Sequence, residues 1–469
     1  MAKFIGRQKE LSILEKIYKS TEAELVVLYG RRRIGKTSLI GQFCRGKKYL
    51  YFACRQINDD IQRAEMSRQL IRMGAPLGKF VSVFDSWDTI FNQLGEITSD
   101  EKLICVIDEF PYAVENNSSI PSILQHAWDQ YLTQKNIMLI LCGSSMSFME
   151  KEVLAEKSPL FGRATHTIKL TEMDFRETID FFPNYSPVDR VLSYAVLGGS
   201  PYCLTCFNPD ISFEENVVNT ILMPSSSLWN YPNTIIHQEC REPSRYNEIL
   251  TAIAMGATRF SDLVSKTTIT SSNLPRFLRN LEEMGFVKRE FSTLTPIKQK
   301  AVTQRGLYRL SDPFVSFWYR YVWGNFDLLS LGGANIVFNE QVKPQINEMA
   351  SLPFEEICRQ FLWEKNLNMQ LPFIVQKLGR WWSANEEIDL LGTSFNGQDL
   401  LFAECKFSNS PVSRSEYFKL REKSENFSAI KKHYVLFSKS GFTQDLIELS
   451  KDNDTNLRLV GLQELVGKM

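Results

Sequence analysis

The stretch Leu25-Val26-Val27-Leu28-Tyr29-Gly30-Arg31-Arg32-Arg33-Ile34-Gly35-Lys36-Thr37 decides how the first half of the chain is read. A short apolar run breaks into glycine and three arginines, and Lys36 to Phe43 then reads as a helix. An apolar run without alternation marks a strand buried on both faces, so the segment is strand, loop, helix. Within it, GRRRIGKT at 30–37 fits the spacing GxxxxGK[ST]. Glycines let backbone N–H groups wrap phosphates, and the helix N-terminus behind them favours negative charge. At this spacing Lys36 is expected to reach the β- and γ-phosphates of ATP, and the Thr37 hydroxyl to ligate Mg²⁺. Gly30, Arg31, Arg32, Arg33, Ile34, Gly35 and Ser38 are the remaining nucleotide-binding candidates of the loop.

Working outward, residues 103–107 (LICVI) and 137–142 (IMLILC) are two further apolar runs. Segments 60–73, 85–97 and 120–134 between them read as helices, and the alternation predicts a doubly wound α/β domain with a parallel sheet. The strand in LICVIDEF ends in Asp108 and Glu109. Asp108 is expected beside the metal, and Glu109 is placed to polarise the attacking water. The bland reading of the pair is a solvated acidic turn. The third run ends in GSS at 143–145, where Ser144 is a candidate sensor of the γ-phosphate.

Several motifs follow one another in order: Phe4-Ile5-Gly6-Arg7 with Glu10-Leu11, then GRRRIGKT, IDEF, SPLFGR at 158–163 and GGSPYCL at 198–204. Together they resemble the archaeal-type AAA+ ATPases of the STAND-related clade, over residues 1 to about 220. The resemblance implies that Gly6 and Arg7 lie near the adenine. It implies that Arg163 acts as an arginine finger or sensor, and that the Gly198–Pro201 turn closes a helical lid. A surface ion pair is the plain alternative for Arg163. An arginine acting in trans needs a homo-oligomer formed through the ATPase domain.

The bulk properties set limits. A chain of 469 residues exceeds what one core usually supports, so two or three domains are expected. Lys+Arg and Asp+Glu both number 54, so any nucleic-acid surface must come from local clustering. Nine cysteines, mostly in apolar settings, read as buried free thiols, and four isolated histidines argue against a zinc site. The N-terminus MAKFIGRQKE has no apolar signal region, and no 18-residue apolar segment appears. The expectation is a cytoplasmic protein with no membrane partner.

The pattern turns helical from about residue 172, and residues 222–245, rich in Pro, Ser and Asn, read as a connector. Three helical segments follow in YNEILTAIAMG, FSDLVSKTT and SSNLPRFLRNLEEMG, the last with Ser271 or Ser272 as N-cap and Gly285 as stop. FVKREF and GLYRLS then read as two strands. This is a winged helix-turn-helix pattern. Arg276 and Arg279 share a helix face, and Lys288, Arg289, Lys298, Lys300, Arg305 and Arg309 make the wing basic, so DNA is the expected partner. A winged helix used only for packing is the alternative.

In the last region, strands at 387–393 and 400–406 are joined through Asn396-Gly397, a hairpin turn signal. A helix at 354–365 and a strand at 433–438 complete the pattern. The hairpin brings Asp389 towards Glu404 and Lys406, which share one strand face. Carboxylates are hard ligands for Mg²⁺ or Mn²⁺, and Lys406 could orient a water or stabilise a pentacovalent phosphate. The arrangement resembles the PD-(D/E)XK nuclease superfamily, with Glu355 matching an acidic helix residue that many members carry, and Ile388 standing where Pro is usual. The entry DPFVSFWYRYV resembles the C-terminal domain of unknown function that accompanies these ATPases. The expected division is 1–222 ATPase core with lid, 240–312 winged helix, and 313–469 α/β restriction-endonuclease-like domain. Function is then ATP hydrolysis coupled to DNA binding and metal-dependent cleavage. The competing reading is an ATPase switch whose C-terminal domain binds nucleic acid or protein without cutting.

Overall fold

The computed structural model describes residues 4–300 and 306–467. It divides into two compact units, Met1–Glu172 with Ser200–Tyr202, and Met173–Gly199 with Cys203–Met469. The boundaries expected at 222 and 312 both fall inside the second unit, which takes in the expected lid as well.

The first unit is built on a parallel sheet of β1 (Glu24–Tyr29), β2 (Tyr49–Ala53), β3 (Leu103–Asp108), β4 (Ile137–Gly143) and β5 (His166–Lys169). Their spatial order is β2-β3-β4-β1-β5. The sequence reading missed β2 and β5, and it missed the opening helix α1 (Gln8–Tyr18). The helices α2 (Lys36–Phe43), α3 (Asp59–Arg72), α4 (Trp87–Glu96), α5 (Phe110–Asn116) and α6 (Ile120–Gln130) connect the strands. Alternate residues of β1 enter separate cores. Leu25 and Val27 pack with Leu139, Leu141 and Ile107, while Val26 and Leu28 pack with Leu39, Ile40 and Ile140. Burial on both faces is why β1, β3 and β4 lack alternation. The sheet therefore delivers the carboxyl ends of β1, β3 and β4 to one edge, where ligands of open α/β sheets bind.

In the second unit, helices Pro243–Ala254, Phe260–Lys266 and Leu274–Glu283 precede two antiparallel strands, β6 (Val287–Glu290) and β7 (Leu307–Leu310). The last of these helices is capped by Asn273, without a side-chain cap bond, rather than by Ser271 or Ser272. Residues 222–245 are more than a connector, because Tyr231–Glu239 is a helix. Just before it, the Trp229 carbonyl accepts the Trp318 indole N–H at 2.6 Å and the Trp229 ring lies 4.5 Å from that of Phe326.

The second sheet has the order β12-β11-β10-β9-β8. It comprises β8 (Lys377–Trp382), β9 (Glu387–Thr393), β10 (Asp399–Lys406), β11 (Lys431–Ser438) and β12 (Leu457–Gly461). β8, β9 and β10 are antiparallel neighbours, whereas β10, β11 and β12 run parallel. The helix expected at 354–365 is part of a longer one, Lys343–Leu367, which runs through Pro353. A proline there forfeits one helix hydrogen bond, so tertiary packing holds the helix together. Phe354, Ile357, Cys358 and Phe361 on this helix are buried.

Candidate functional site

In the first unit the loop between β1 and α2 is held in a conformation most residues avoid. Gly35 has φ +90° and Arg33 φ +63°. Left-handed backbone costs a non-glycine residue about 1–2 kcal/mol, and such strain gathers at binding sites. Gly30 is required for a different reason: a Cβ there would lie 2.3 Å from the Leu170 carbonyl oxygen. No side chain caps the first turn of α2, so its N–H groups are left for an anion.

Lys36 is 5% exposed. Its ammonium donates to the carbonyls of Gly30 (2.7 Å) and Arg31 (2.9 Å). Burial pushes its pKa below the ordinary lysine value, opposed by Glu109 and Asp108 nearby. Thr37 and Ser38 are exposed at the start of α2, and Ile34 is buried beneath the loop. Thr37 Oγ1 lies 3.4 Å from Asp108 Oδ2, which also accepts a short bond from the Tyr51 hydroxyl. Glu109 has φ +51°, and its N–H donates to Asp108 Oδ1 at 2.9 Å. Ser144 clamps Glu109 through its hydroxyl (2.5 Å) and its N–H (3.2 Å). The structure thus gathers Lys36, Thr37, Asp108, Glu109 and Ser144 at one sheet edge. Two hard oxygens, Thr37 Oγ1 and Asp108 Oδ2, sit together there, which fits a magnesium ion.

The arginines around the loop are engaged. Arg31 pairs with Glu172 at 3.3 Å, Arg32 donates to the Tyr112 hydroxyl at 3.0 Å, and Arg33 lies 4.2 Å from the centre of the Tyr202 ring. Gly6 and Arg7 both have left-handed backbone. The Arg7 side chain is 2% exposed and donates to the carbonyls of Ile34 (3.1 Å) and Thr171 (2.6 Å) and to Glu10 (3.1 Å). It therefore braces the phosphate loop from behind. Arg163 donates to both carboxylate oxygens of Asp129, at 2.7–3.0 Å, which is the plain alternative considered for it. The sequence reading missed Tyr51, whose only signal was the apolar–aromatic alternation YLYFA in an unread strand.

In the second unit, Ala403 pairs with Leu390, so Asp389 and Glu404 follow at the same end of the β9–β10 hairpin. Asp389 Oδ2 accepts from the Cys405 N–H at 2.8 Å. Burial, and then Glu404, push its carboxyl up to about 6. Glu355 is pushed up to about 8 by burial and by Asp389. Lys406 donates to Glu404 Oε1 at 2.7 Å, with Glu416 at 3.4 Å. Burial works against its charge, but these carboxylates raise its pKa above the ordinary value. Arg380, on the unread strand β8, bridges Glu355 (3.5 Å) and Glu387. Glu355 Oε2 and Glu404 Oε2 are buried without a hydrogen bond. Yet among the described residues no group of three or more His, Cys, Asp or Glu side chains is placed to hold one metal ion. Cations of the chain itself occupy two of the three expected ligands.

The basic helix and ribbon are partly neutralised as well. Arg309 pairs with Glu290 and Arg276 with Glu242, each at 2.7 Å. Thr293 donates to the Arg380 carbonyl through both its N–H and its hydroxyl at 2.8 Å, so the ribbon lies against β8. Arg305 lies outside the described residues. Among the described residues, no helix is long and apolar enough to cross a membrane.

Comparison with known proteins supplies the kinship. A family described as an ATPase domain predominantly from Archaea matches residues 4–207. A second, described as archaeal and bacterial proteins of unknown function, matches residues 318–424. An uncharacterized protein of Methanocaldococcus jannaschii is 31% identical over 406 residues, covering 87% of this chain and 88% of that one. An uncharacterized ATP-binding protein of the same organism is 49% identical over 45 residues, 10% of this chain and 76% of that protein. Among solved structures, the Walker-type ATPase of Pyrococcus abyssi shares the fold with a TM-score of 0.51 at 21% identity, covering 68% of this chain and 96% of that one. With its phosphate loop, its Asp-Glu strand end and a relative matched over 87% of its length, this chain belongs to the P-loop ATPases of the family found predominantly in Archaea.

Proposed function

We propose that the chain is a magnesium-dependent ATPase whose second unit engages DNA. The observation that carries the first half is the linked set Lys36, Thr37, Asp108, Glu109 and Ser144 at one sheet edge. Lys36 would leave the Gly30 and Arg31 carbonyls for the phosphates. Thr37 and Asp108 would hold magnesium, which supplies neutralisation of phosphate charge. Glu109 would take a proton from the attacking water, once turned from Ser144. Ser144, freed in the same movement, would meet the γ-phosphate. Arg7 and Gly6 would set the loop's height beside the adenine. A role for Arg163 in trans needs a second copy and its release from Asp129. Steady-state hydrolysis of Mg·ATP tests the assignment. Equal rates for wild type, Lys36→Ala and Glu109→Gln would remove it.

For the second unit, three helices and an antiparallel ribbon support a winged helix, with Arg279, Lys288 and Lys298 exposed for phosphate contact. Asp389, Glu404 and Lys406 on one hairpin, with Glu355 beside them, support a PD-(D/E)XK-type centre that would take Mg²⁺ or Mn²⁺. Binding without cutting is favoured by one observation, the cations seated on Glu355 and Glu404. Incubation with plasmid, Mn²⁺ and ATP separates the two readings. Nicking by wild type that Lys406→Ala and Asp389→Ala lose means cleavage, and identical traces mean binding alone. Action in the cytoplasm is part of the proposal.

A further inference from the structure

Between α3 and α4 the first unit carries a cationic face outside the residues assigned to the nucleotide. From Met66 to Phe84 the chain has Arg68, Arg72 and Lys79 and no acidic residue. All three are exposed, and among the described residues none of them forms an ion pair. Arg68 and Arg72 stand one turn apart on α3, which sets their Cβ atoms roughly 5–6 Å apart. Beside them the Phe80 ring is 81% exposed. A groove of about 440 Å³ runs between these four side chains.

The loop is built to hold that ring outward. Gly78 sits so close to α3 that a Cβ would meet the Ile71 side chain at 2.8 Å. The Leu77 N–H donates to Gln93 Oε1 at 2.9 Å, and the Phe84 N–H to Ser67 Oγ at 3.1 Å. The Leu77 carbonyl accepts from the N–H groups of Phe80 (3.0 Å) and Val81 (3.1 Å). Phe84, four residues on, is 1% exposed. Phe80 thus projects from a turn pinned at both ends. Leu77, Val81 and Val83 around it are exposed as well, and apolar side chains grouped in water forgo the gain of burial and mark an interaction site.

We propose that this face binds single-stranded nucleic acid, with a base stacked on Phe80 and phosphates on Arg68, Arg72 and Lys79. Sequence-tolerant single-strand sites combine a cationic track with an aromatic platform. A duplex keeps its base faces stacked inside, and a peptide of Asp and Glu alone offers no aromatic face to the ring. The proposal stands whether or not the second unit binds or cuts DNA.

The test uses the full chain and a fluorescein-labelled 15-nucleotide oligo-dT, read by anisotropy between 50 and 200 mM salt. A duplex of the same length and a polyglutamate competitor are run beside it. Phe80→Ala should weaken oligo-dT binding roughly tenfold. Arg68→Ala with Arg72→Ala should reduce the slope of log affinity against log salt by about 1.4, from ~0.7 per phosphate contact. Photocrosslinking with a 5-iodouracil oligomer should mark the peptide containing Phe80. Unchanged basal ATP hydrolysis in both variants shows that they fold. The proposal is overturned if wild type does not bind the oligomer, or if neither variant changes affinity or slope. It is also overturned if crosslinks map elsewhere, or if the duplex binds as tightly through the same residues. Displacement by polyglutamate at equal charge, with Phe80→Ala indifferent, would instead make the face a dock for an acidic protein.

Discussion

The phosphate loop of the first unit and the acidic hairpin of the second are made of similar parts, carboxylates with a lysine, yet their charges are spent differently. In the loop, Lys36 rests on the carbonyls of Gly30 and Arg31, while Asp108 and Glu109 are held by neutral donors from Tyr51, Thr37 and Ser144. Among the described residues Lys36, Asp108 and Glu109 form no ion pair, although Arg31 pairs with Glu172, so ligand phosphate and metal can replace weak partners with strong ones. In the hairpin, Lys406 rests on Glu404, and Arg380 on Glu355 and Glu387. A charge already paired must be unpaired before it can bind anything, and half-buried pairs resist this. At the first site a ligand has only neutral partners of Lys36, Asp108 and Glu109 to displace. A metal at the second would have to displace an internal cation first.

The comparison breaks most sharply at Lys36. Lys36→Ala should lower ATP hydrolysis roughly 10²–10³-fold in a steady-state assay, because Arg31, Arg32 and Arg33 are engaged by Glu172, Tyr112 and Tyr202. A loss of less than tenfold would mean that the loop's charge is not the one that matters. Glu109→Gln should lower kcat about 10²-fold while leaving nucleotide affinity, read by fluorescent-nucleotide titration, within a few-fold of wild type. Loss of affinity with unchanged kcat would contradict the water-activating role.

Lys406→Ala sharpens the other side. Without its ammonium, Glu404 keeps only the Lys423 ammonium, at 3.7 Å, against Asp389, and thermal unfolding should show a loss of about 1 kcal/mol, discounted for Lys406 being about a third exposed. Millimolar Mn²⁺ should restore more of that loss than it adds to wild type. Equal Mn²⁺ effects in both would mean that the hairpin has no metal to exchange for its lysine.

Glu355 gives a pH signature with a definite sign. Its carboxyl rises from the ordinary 4.5 to about 8 in the folded chain. The folded state therefore holds this proton more tightly than the unfolded one. The stability it contributes is complete below pH 4.5 and is lost as pH climbs to 8. Glu355→Gln should match wild type near pH 5 and exceed it at pH 8.5 by on the order of 2 kcal/mol in denaturant titrations. A variant less stable at both values would show that the Arg380 pair outweighs burial. The smallest effect is expected at Tyr51, where Tyr51→Phe removes the hydroxyl bonded to Asp108 and should shift the Mg²⁺ dependence of hydrolysis a few-fold, without touching ATP affinity.

Much of the first unit was legible because its central strands are continuous apolar runs and its loop has a fixed spacing. The edge strands β2 and β5 were not legible. His166–Lys169 is four residues long and mostly exposed, and Tyr49–Ala53 alternates, so neither shows a buried run. The hairpin was visible through its Asn-Gly turn, but β8, half-buried and interrupted by Gly379 and Arg380, was not. With β8 unread, Arg380 went unread, and so did the occupation of Glu355. The basic helix and ribbon looked free because Glu242, which meets Arg276, and Glu290, which meets Arg309, announce no pairing in one dimension.

By itself the sequence determined the phosphate loop, the strand ending in Asp108-Glu109 and the hairpin carrying Asp389, Glu404 and Lys406. These depend on spacing within a few residues, and backbone geometry turns such spacing directly into position. Only the tertiary structure decided which charges meet. Arg7 reaches Thr171, Arg163 turns to Asp129, Tyr51 holds Asp108, and Arg380 closes on Glu355. Side chains far apart in the chain become neighbours through the packing of whole elements, and no local pattern records the partner that packing will supply.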